Sequence, residues 1–187
     1  KVIGLRRGWK GIVSCIRDKK LHQEECFQIL TEEIVNRAGR TGGTFLHTSR
    51  TRPSHIPKDD VPDHLKDQYP SDINDLTPEV LKNLDFLGID YLVAIGGDDT
   101  LSYAVHLSKQ GVKVIAIPKT MDNDVPGTDY CIGFSTAVSR ATELIGRQRS
   151  TLGSHERIGV FRIFGRDAGF TALYTAYVAS ARCLIPE

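Results

Sequence analysis

At 187 residues the chain is long enough to bury a sizeable core, as one large domain or as one domain and part of another. Its 24 basic and 23 acidic residues leave a formal charge of +1, which excludes the electrostatic footprint of a nucleic-acid binder. No apolar run approaches the ~18 residues of a membrane span, and no signal-peptide pattern opens the chain. Cys15, Cys26, Cys131 and Cys183 lack paired metal spacing and read as reduced thiols of a cytoplasmic protein.

In chain order, residues 2–5 predict a short buried strand followed by a turn through residues 6–11. Arg6, Arg7 and Lys10 in that turn read as a solvated basic loop, with a phosphate contact as the alternative. Thr31, Glu32 and Glu33 predict the start of a short helix, since its dipole favours acidic residues in the first turn, and Gly39 ends it. Residues 42–50 predict a turn and a strand with Arg50 at its end. Residues 51–78 differ in kind, holding five of the eight prolines. They predict a long loop with at most one helical turn near residues 62–67, and a loop of that length is functional or disordered. Its place just after Arg50 suits a lid. Thr77-Pro78-Glu79 then starts a helix, with Pro78 at the first helical position, and Gly88 stops it.

The most informative stretch is residues 91–129. Apolar runs at 91–95 and 112–117 flank a segment, residues 100–109, with apolar Leu101, Ala104, Val105 and Leu107. That pattern predicts strand, helix, strand, with the two strands parallel neighbours. Ligands of such sheets sit outside the carboxyl ends of the strands. Those ends carry Gly96-Gly97-Asp98-Asp99-Thr100 and Pro118-Lys119-Thr120-Met121-Asp122-Asn123-Asp124. Four carboxylates and a lysine therefore gather in one place. Like charges need a reason to gather, and a magnesium ion bridging to phosphate supplies one, since Mg²⁺ takes one or two carboxylates plus phosphate oxygens and water. The glycines let backbone approach a phosphate, and the helix start offers its positive end. An N-capping aspartate explains Asp98 or Asp99 but not the other carboxylates or Lys119.

Beyond Gly133 a helix is expected, with Ser135 as N-cap and a stripe of Val138, Ala141, Leu144 and Ile145 ending near Arg149. Residues 157–164 alternate with period two and predict a strand, and residues 168–181 predict a helix. Competing chemistries find no support. The sequence has no Gly-X-Ser-X-Gly elbow, His-Glu-X-X-His pair, Gly-Lys-(Ser/Thr) P-loop or Gly-X-Gly-X-X-Gly turn. Phosphoryl transfer remains, a reaction catalysed by positioning and charge neutralisation.

These motifs resemble those of the phosphofructokinases, which pair a Gly-Gly-Asp-(Gly/Asp)-(Ser/Thr) turn with a Thr-X-Asp-Asn-Asp turn. The resemblance continues through residues 127–134, Ser154-His155-Glu156-Arg157, Phe164-Gly165-Arg166 and Pro186-Glu187, over roughly half the chain. It implies an α/β fold, a Rossmann-like parallel-sheet sandwich of two similar lobes with the substrate cleft between them. Residues 1–133 would form the phosphoryl-donor lobe and 134–187 begin the sugar-phosphate lobe. No Gly-Gly-Asp-X-Pro-Gly turn opens the chain, so it is expected to be an internal portion of a larger enzyme.

By the same resemblance Asp122 would be the general base toward the 1-hydroxyl of fructose 6-phosphate, with Asp99 and Lys119 in the catalytic set. Asp98 would hold Mg²⁺. Arg50, Gly97 and Thr100 would face the phosphoryl donor. Thr120, Asp124, Arg157, Phe164, Gly165, Arg166 and Glu187 would serve the sugar phosphate. Arg157 would reach in from a neighbouring subunit, implying a homo-oligomer, dimer or tetramer. ATP-using members carry glycine at the position of Asp99, and often at Lys119, whereas members using inorganic pyrophosphate resemble this chain at both. The resemblance therefore favours pyrophosphate as donor. The alternatives are an ATP-dependent enzyme and a catalytically silent regulatory subunit.

Overall fold

The computed structural model describes residues 1–40 and 42–185. They form two compact units, one of residues 1–92 and 106–113, the other of residues 93–105 and 114–187.

In the first unit β1 (Val2–Leu5) pairs antiparallel with β2 (Phe27–Leu30), Ile3 opposite Ile29. Between them α1 (Trp9–Ser14) occupies part of the basic turn, and its Trp9, Ile12 and Val13 are buried. Gly11 permits this: a Cβ there would lie 2.1 Å from the carbonyl oxygen of Arg6. Helix α2 (Glu32–Ala38) starts where its sequence says, the Thr31 hydroxyl accepting from the Ile34 N–H. The strand expected within residues 42–50 does not form. Those residues are turn and irregular backbone, with His47 in the left-handed region at φ 62°.

Residues 51–78 are packed, with short strands and 3₁₀ turns of their own. The short strands β3 (Ile56–Pro57) and β4 (Ile73–Asn74) close the loop antiparallel, and the Leu76 N–H donates to the Pro53 carbonyl. Two 3₁₀ turns, Lys58–Asp60 and Asp63–Leu65, lie between. Ile56, Val61, Leu65 and Leu76 are all buried. At about 1.5–3 kcal/mol for each fully buried aliphatic side chain, these four hold the loop down. They are spread thinly among prolines and charges, so no periodicity betrays them.

Helix α3 (Thr77–Phe86) follows, and its buried Glu79 and Asn83 tie it to α1. Arg17 donates to Glu79 at 2.7 Å and to Asn83 at 2.8 Å, while the Asn83 amide donates to the Ile12 carbonyl at 2.7 Å. Lys82 and the Tyr69 hydroxyl also donate to Glu79, at 2.8 and 3.3 Å. Burial pushes the Glu79 carboxyl up, but its hydrogen bonds from Lys82 and Arg17 outweigh this and hold it below the usual carboxylate range.

The expected strand–helix–strand unit forms as β5 (Leu92–Gly96), α4 (Asp98–Lys109) and β6 (Val114–Pro118). The Leu92 N–H donates to the Lys113 carbonyl at one end, and the Lys119 N–H to the Gly96 carbonyl at the other. Both strands therefore run the same way. Gly111, at φ 92°, makes the turn out of α4. A parallel bridge between Lys119 and Ile132 sets a third segment beside β6.

In the second unit α5 (Phe134–Ser154) begins one residue before the expected cap, with Gly133 at φ 101° in the N-cap position, and runs past Arg149. It packs against α6 (Phe170–Val178). Phe134 meets the rings of Tyr130 and Tyr174 edge-on at 5.5 and 5.4 Å. Residues 157–164 are not a strand. They are irregular, with Ile158 94 % and Val160 90 % exposed. A strand is stable only as part of a ladder, and among the described residues none lies beside this segment.

Candidate active site

The ends of β5 and β6 bring the two acidic motifs together because the strands are adjacent and parallel. Gly96 closes β5, and a Cβ on it would lie 2.6 Å from Thr100, so the first turn of α4 folds tightly over the strand end. The Gly97 carbonyl accepts from the N–H groups of Thr100 and Leu101, which starts the helix. Asp98 and Asp99 occupy its first turn, where the dipole favours negative charge, and both are exposed. Gly97 faces the second motif: a Cβ there would come 3.7 Å from Thr120.

The turn after β6 is held by Asn123. It takes a left-handed conformation, φ 54°, which asparagine tolerates better than most residues. Its side-chain oxygen accepts from the Cys131 N–H at 2.8 Å, and its amide donates to the Asp129 carbonyl at 3.4 Å. The Thr120 hydroxyl accepts from the Asp122 N–H at 3.2 Å. The turn that carries the two flanking aspartates is thereby braced by Asn123, a residue with no role of its own in the sequence reading. A lone Asn between two Asp in a turn was the available signal.

Asp122 is half-buried, and its Oδ1 has no hydrogen-bond partner among the described residues. Desolvation pushes its carboxyl above the usual range; the Asp124 charge adds to this and the Arg166 charge opposes it. A carboxylate with raised basicity and a buried, unpartnered oxygen suits proton acceptance.

Arg166 joins this group from the segment before α6. Its guanidinium donates to Asp99 Oδ2 at 3.2 Å. The preceding Gly165 is required by the turn, since a Cβ there would lie 2.3 Å from the Ala168 carbonyl oxygen. The buried Thr171 hydroxyl, at the start of α6, donates to the Met121 carbonyl at 2.5 Å. This tie was not legible in the sequence, because nothing local to Thr171 distinguishes it from a core threonine.

Asp98, Asp99, Lys119, Thr120, Asp122, Asp124 and Arg166 all belong to the second unit. Arg157 and Phe164 belong to it as well but are exposed on irregular backbone. Arg50 lies in the first unit, exposed, next to Ser49, whose hydroxyl donates to the Arg7 carbonyl. Glu187 lies outside the described residues. Among the described residues no three His, Cys, Asp or Glu side chains form a metal cage. The carboxylate of Asp98 suits a hard cation that takes few protein ligands and fills its shell with phosphate and water.

The phosphofructokinase family profile matches residues 1–187, the whole chain. The chain belongs to the phosphofructokinase family.

Among its relatives, the pyrophosphate–fructose 6-phosphate 1-phosphotransferase of Thermoproteus tenax is 38 % identical over 189 residues. The ATP-dependent 6-phosphofructokinase 3 of Streptomyces coelicolor is 34 % identical over 188. Both alignments cover 100 % of this chain and 48 % and 47 % of those proteins, so the chain spans about half the length of these curated relatives. A similar solved structure is Pichia pastoris phosphofructokinase in the T-state, with a TM-score of 0.73 over 96 % of this chain and 17 % of that one. At 21 % identity that likeness speaks for the fold, an α/β phosphofructokinase portion with parallel pairing. The relatives divide between the two phosphoryl donors, so family membership leaves the donor open. No helix among the described residues is long and apolar enough to cross a membrane.

Proposed function

We propose that the full-length protein transfers a phosphoryl group from pyrophosphate to the 1-hydroxyl of fructose 6-phosphate, giving fructose 1,6-bisphosphate. The observation that carries this reading is the acidic side chain of Asp99 in the first turn of α4, beside Gly97, where ATP-using family members have glycine. In this reading Asp122 accepts the hydroxyl proton. Thr120 and Asp124 orient the acceptor, and Arg166, with Phe164, Gly165, Arg157 and Glu187, binds the sugar phosphate. Arg50, Gly97 and Thr100 line the donor side, and Lys119 neutralises the compact charge of pyrophosphate as a point cation. Asp98 would hold Mg²⁺, which when bound neutralises charge on the phosphoryl oxygens. The exposed Arg157 suits a site shared between subunits of a homo-oligomer.

Asp99 disfavours ATP by placing bulk and negative charge where the α-phosphate of ATP would lie. Repulsion between unit charges about 4 Å apart is about 1 kcal/mol in water and about 4 kcal/mol at an effective dielectric of 20. At about 1.4 kcal/mol per tenfold, that is a discrimination of roughly 5- to 10³-fold. The Arg166 guanidinium at 3.2 Å screens the carboxylate and moves the expectation toward the lower end. The test is kcat/KM for each donor in the full-length protein, then in Asp99→Gly with Lys119→Gly. The parent should prefer pyrophosphate and the double variant should shift toward ATP. Equal or better use of ATP by the parent overturns the assignment and favours the ATP-dependent reading, which the Streptomyces coelicolor relative exemplifies.

A further inference from the structure

Asp99 and Arg166 are 67 residues apart in sequence and meet at 3.2 Å, both side chains about half exposed. An ion pair so exposed contributes little to stability, because water solvates both charges and two long side chains are restrained. What it fixes is orientation. An arginine has several rotatable bonds, and its guanidinium is useful against a phosphate only when its plane is aimed. Here the two ends of Arg166 are fixed by different means. The Gly165 turn, closed against the Ala168 carbonyl, sets its backbone, and Thr171 ties the following helix to the turn that carries Asp122. The guanidinium itself is held from α4 by the Asp99 carboxylate.

We infer that Asp99 is a positioning residue for Arg166, so that the side chain proposed to select the phosphoryl donor also sets the affinity for the sugar phosphate. The inference rests on the proposed roles of these two residues. It has a consequence that a donor-only role for Asp99 lacks: with no donor present, removing the Asp99 charge should weaken sugar-phosphate binding. The Arg166 charge also opposes the raised basicity of Asp122, in keeping with a guanidinium held close to the acceptor side.

The experiment measures fructose 6-phosphate binding to the full-length protein by calorimetry without donor or magnesium, beside its KM at saturating pyrophosphate. Asp99→Asn should raise both Kd and KM for the sugar phosphate about two- to fivefold, the coupling typical of an exposed ion pair. Asp99→Glu, which keeps the carboxylate, should recover most of that loss. In an Arg166→Gln background, Asp99→Asn should change the sugar-phosphate Kd no further. An unchanged Kd in Asp99→Asn, with the parent binding normally, overturns this inference alone. Failure of the parent to bind fructose 6-phosphate overturns the proposed function and this inference with it.

Discussion

Replacing Asp122 with asparagine separates chemistry from folding, because the two should move in opposite directions. The parent carboxylate is half-buried, its Oδ1 lacks a partner among the described residues, and Asp124 repels it. An oxygen left unsatisfied in this way costs about 1–3 kcal/mol, more when charged. Asp122→Asn keeps the shape, removes the charge and removes the proposed base. Loss of a positioned general base lowers kcat by about 10²–10⁴, or about 2.7–5.4 kcal/mol at about 1.36 kcal/mol per tenfold. Because folding raises the Asp122 pKa, the ionised group is destabilising near neutral pH, and that penalty is relieved as pH falls through the raised pKa. The variant should therefore melt at or above the parent temperature near pH 7.5, the gap closing on acidification. Steady-state kinetics with pyrophosphate and fructose 6-phosphate, beside thermal melts of the full-length protein at several pH values, measure both. Activity within a few-fold of the parent would mean the wrong carboxylate has been chosen. A joint fall in kcat and melting temperature would mean that Asp122 is structural.

Glu79→Ala should destabilise the protein by about 1.5–3 kcal/mol, the range for lost hydrogen bonds to a charged group, since Arg17 and Lys82 both reach solvent and no buried charge is left unpaired. Because the parent Glu79 pKa is depressed, its contribution should be present above the unfolded carboxylate range and fade as pH falls through the folded value; denaturant titration near pH 7 and pH 3 reads this directly. Gly165→Ala places a Cβ 2.3 Å from the Ala168 carbonyl and must move the Arg166 backbone. A shift of about 1 Å costs up to about 10²-fold, so kcat/KM for fructose 6-phosphate should fall about 10- to 100-fold; an unchanged value would mean that the turn is not rigid. Thr171→Val removes the donor to the Met121 carbonyl and should cost about 1–2 kcal/mol in chemical denaturation, with no loss indicating that another donor replaces it.

The sequence by itself determined what depends on neighbours along the chain. The β5–α4–β6 unit was legible because its apolar runs, helical stripe and closing Gly111 are local patterns, and parallel pairing follows from a helical crossover long enough to return the chain. Helix α2 was legible from Thr31 and the two glutamates, and Asp98, Asp99, Asp122 and Asp124 were marked by their crowding at strand ends. Three features were decided only by the tertiary structure, and each depends on partners far away in the chain. Residues 157–164 have a strand's alternation yet lack a ladder among the described residues, and pairing is a property of two segments. Residues 51–78 have a loop's composition yet bury Ile56, Val61, Leu65 and Leu76, because burial depends on what closes over a side chain. The Asp99–Arg166 pair spans 67 residues, and neither side chain carries a local sign of the other. Its cause is the parallel register, which sets the first turn of α4 beside the turn carrying Asp122, together with the Thr171 bond that brings the Arg166 segment against that turn.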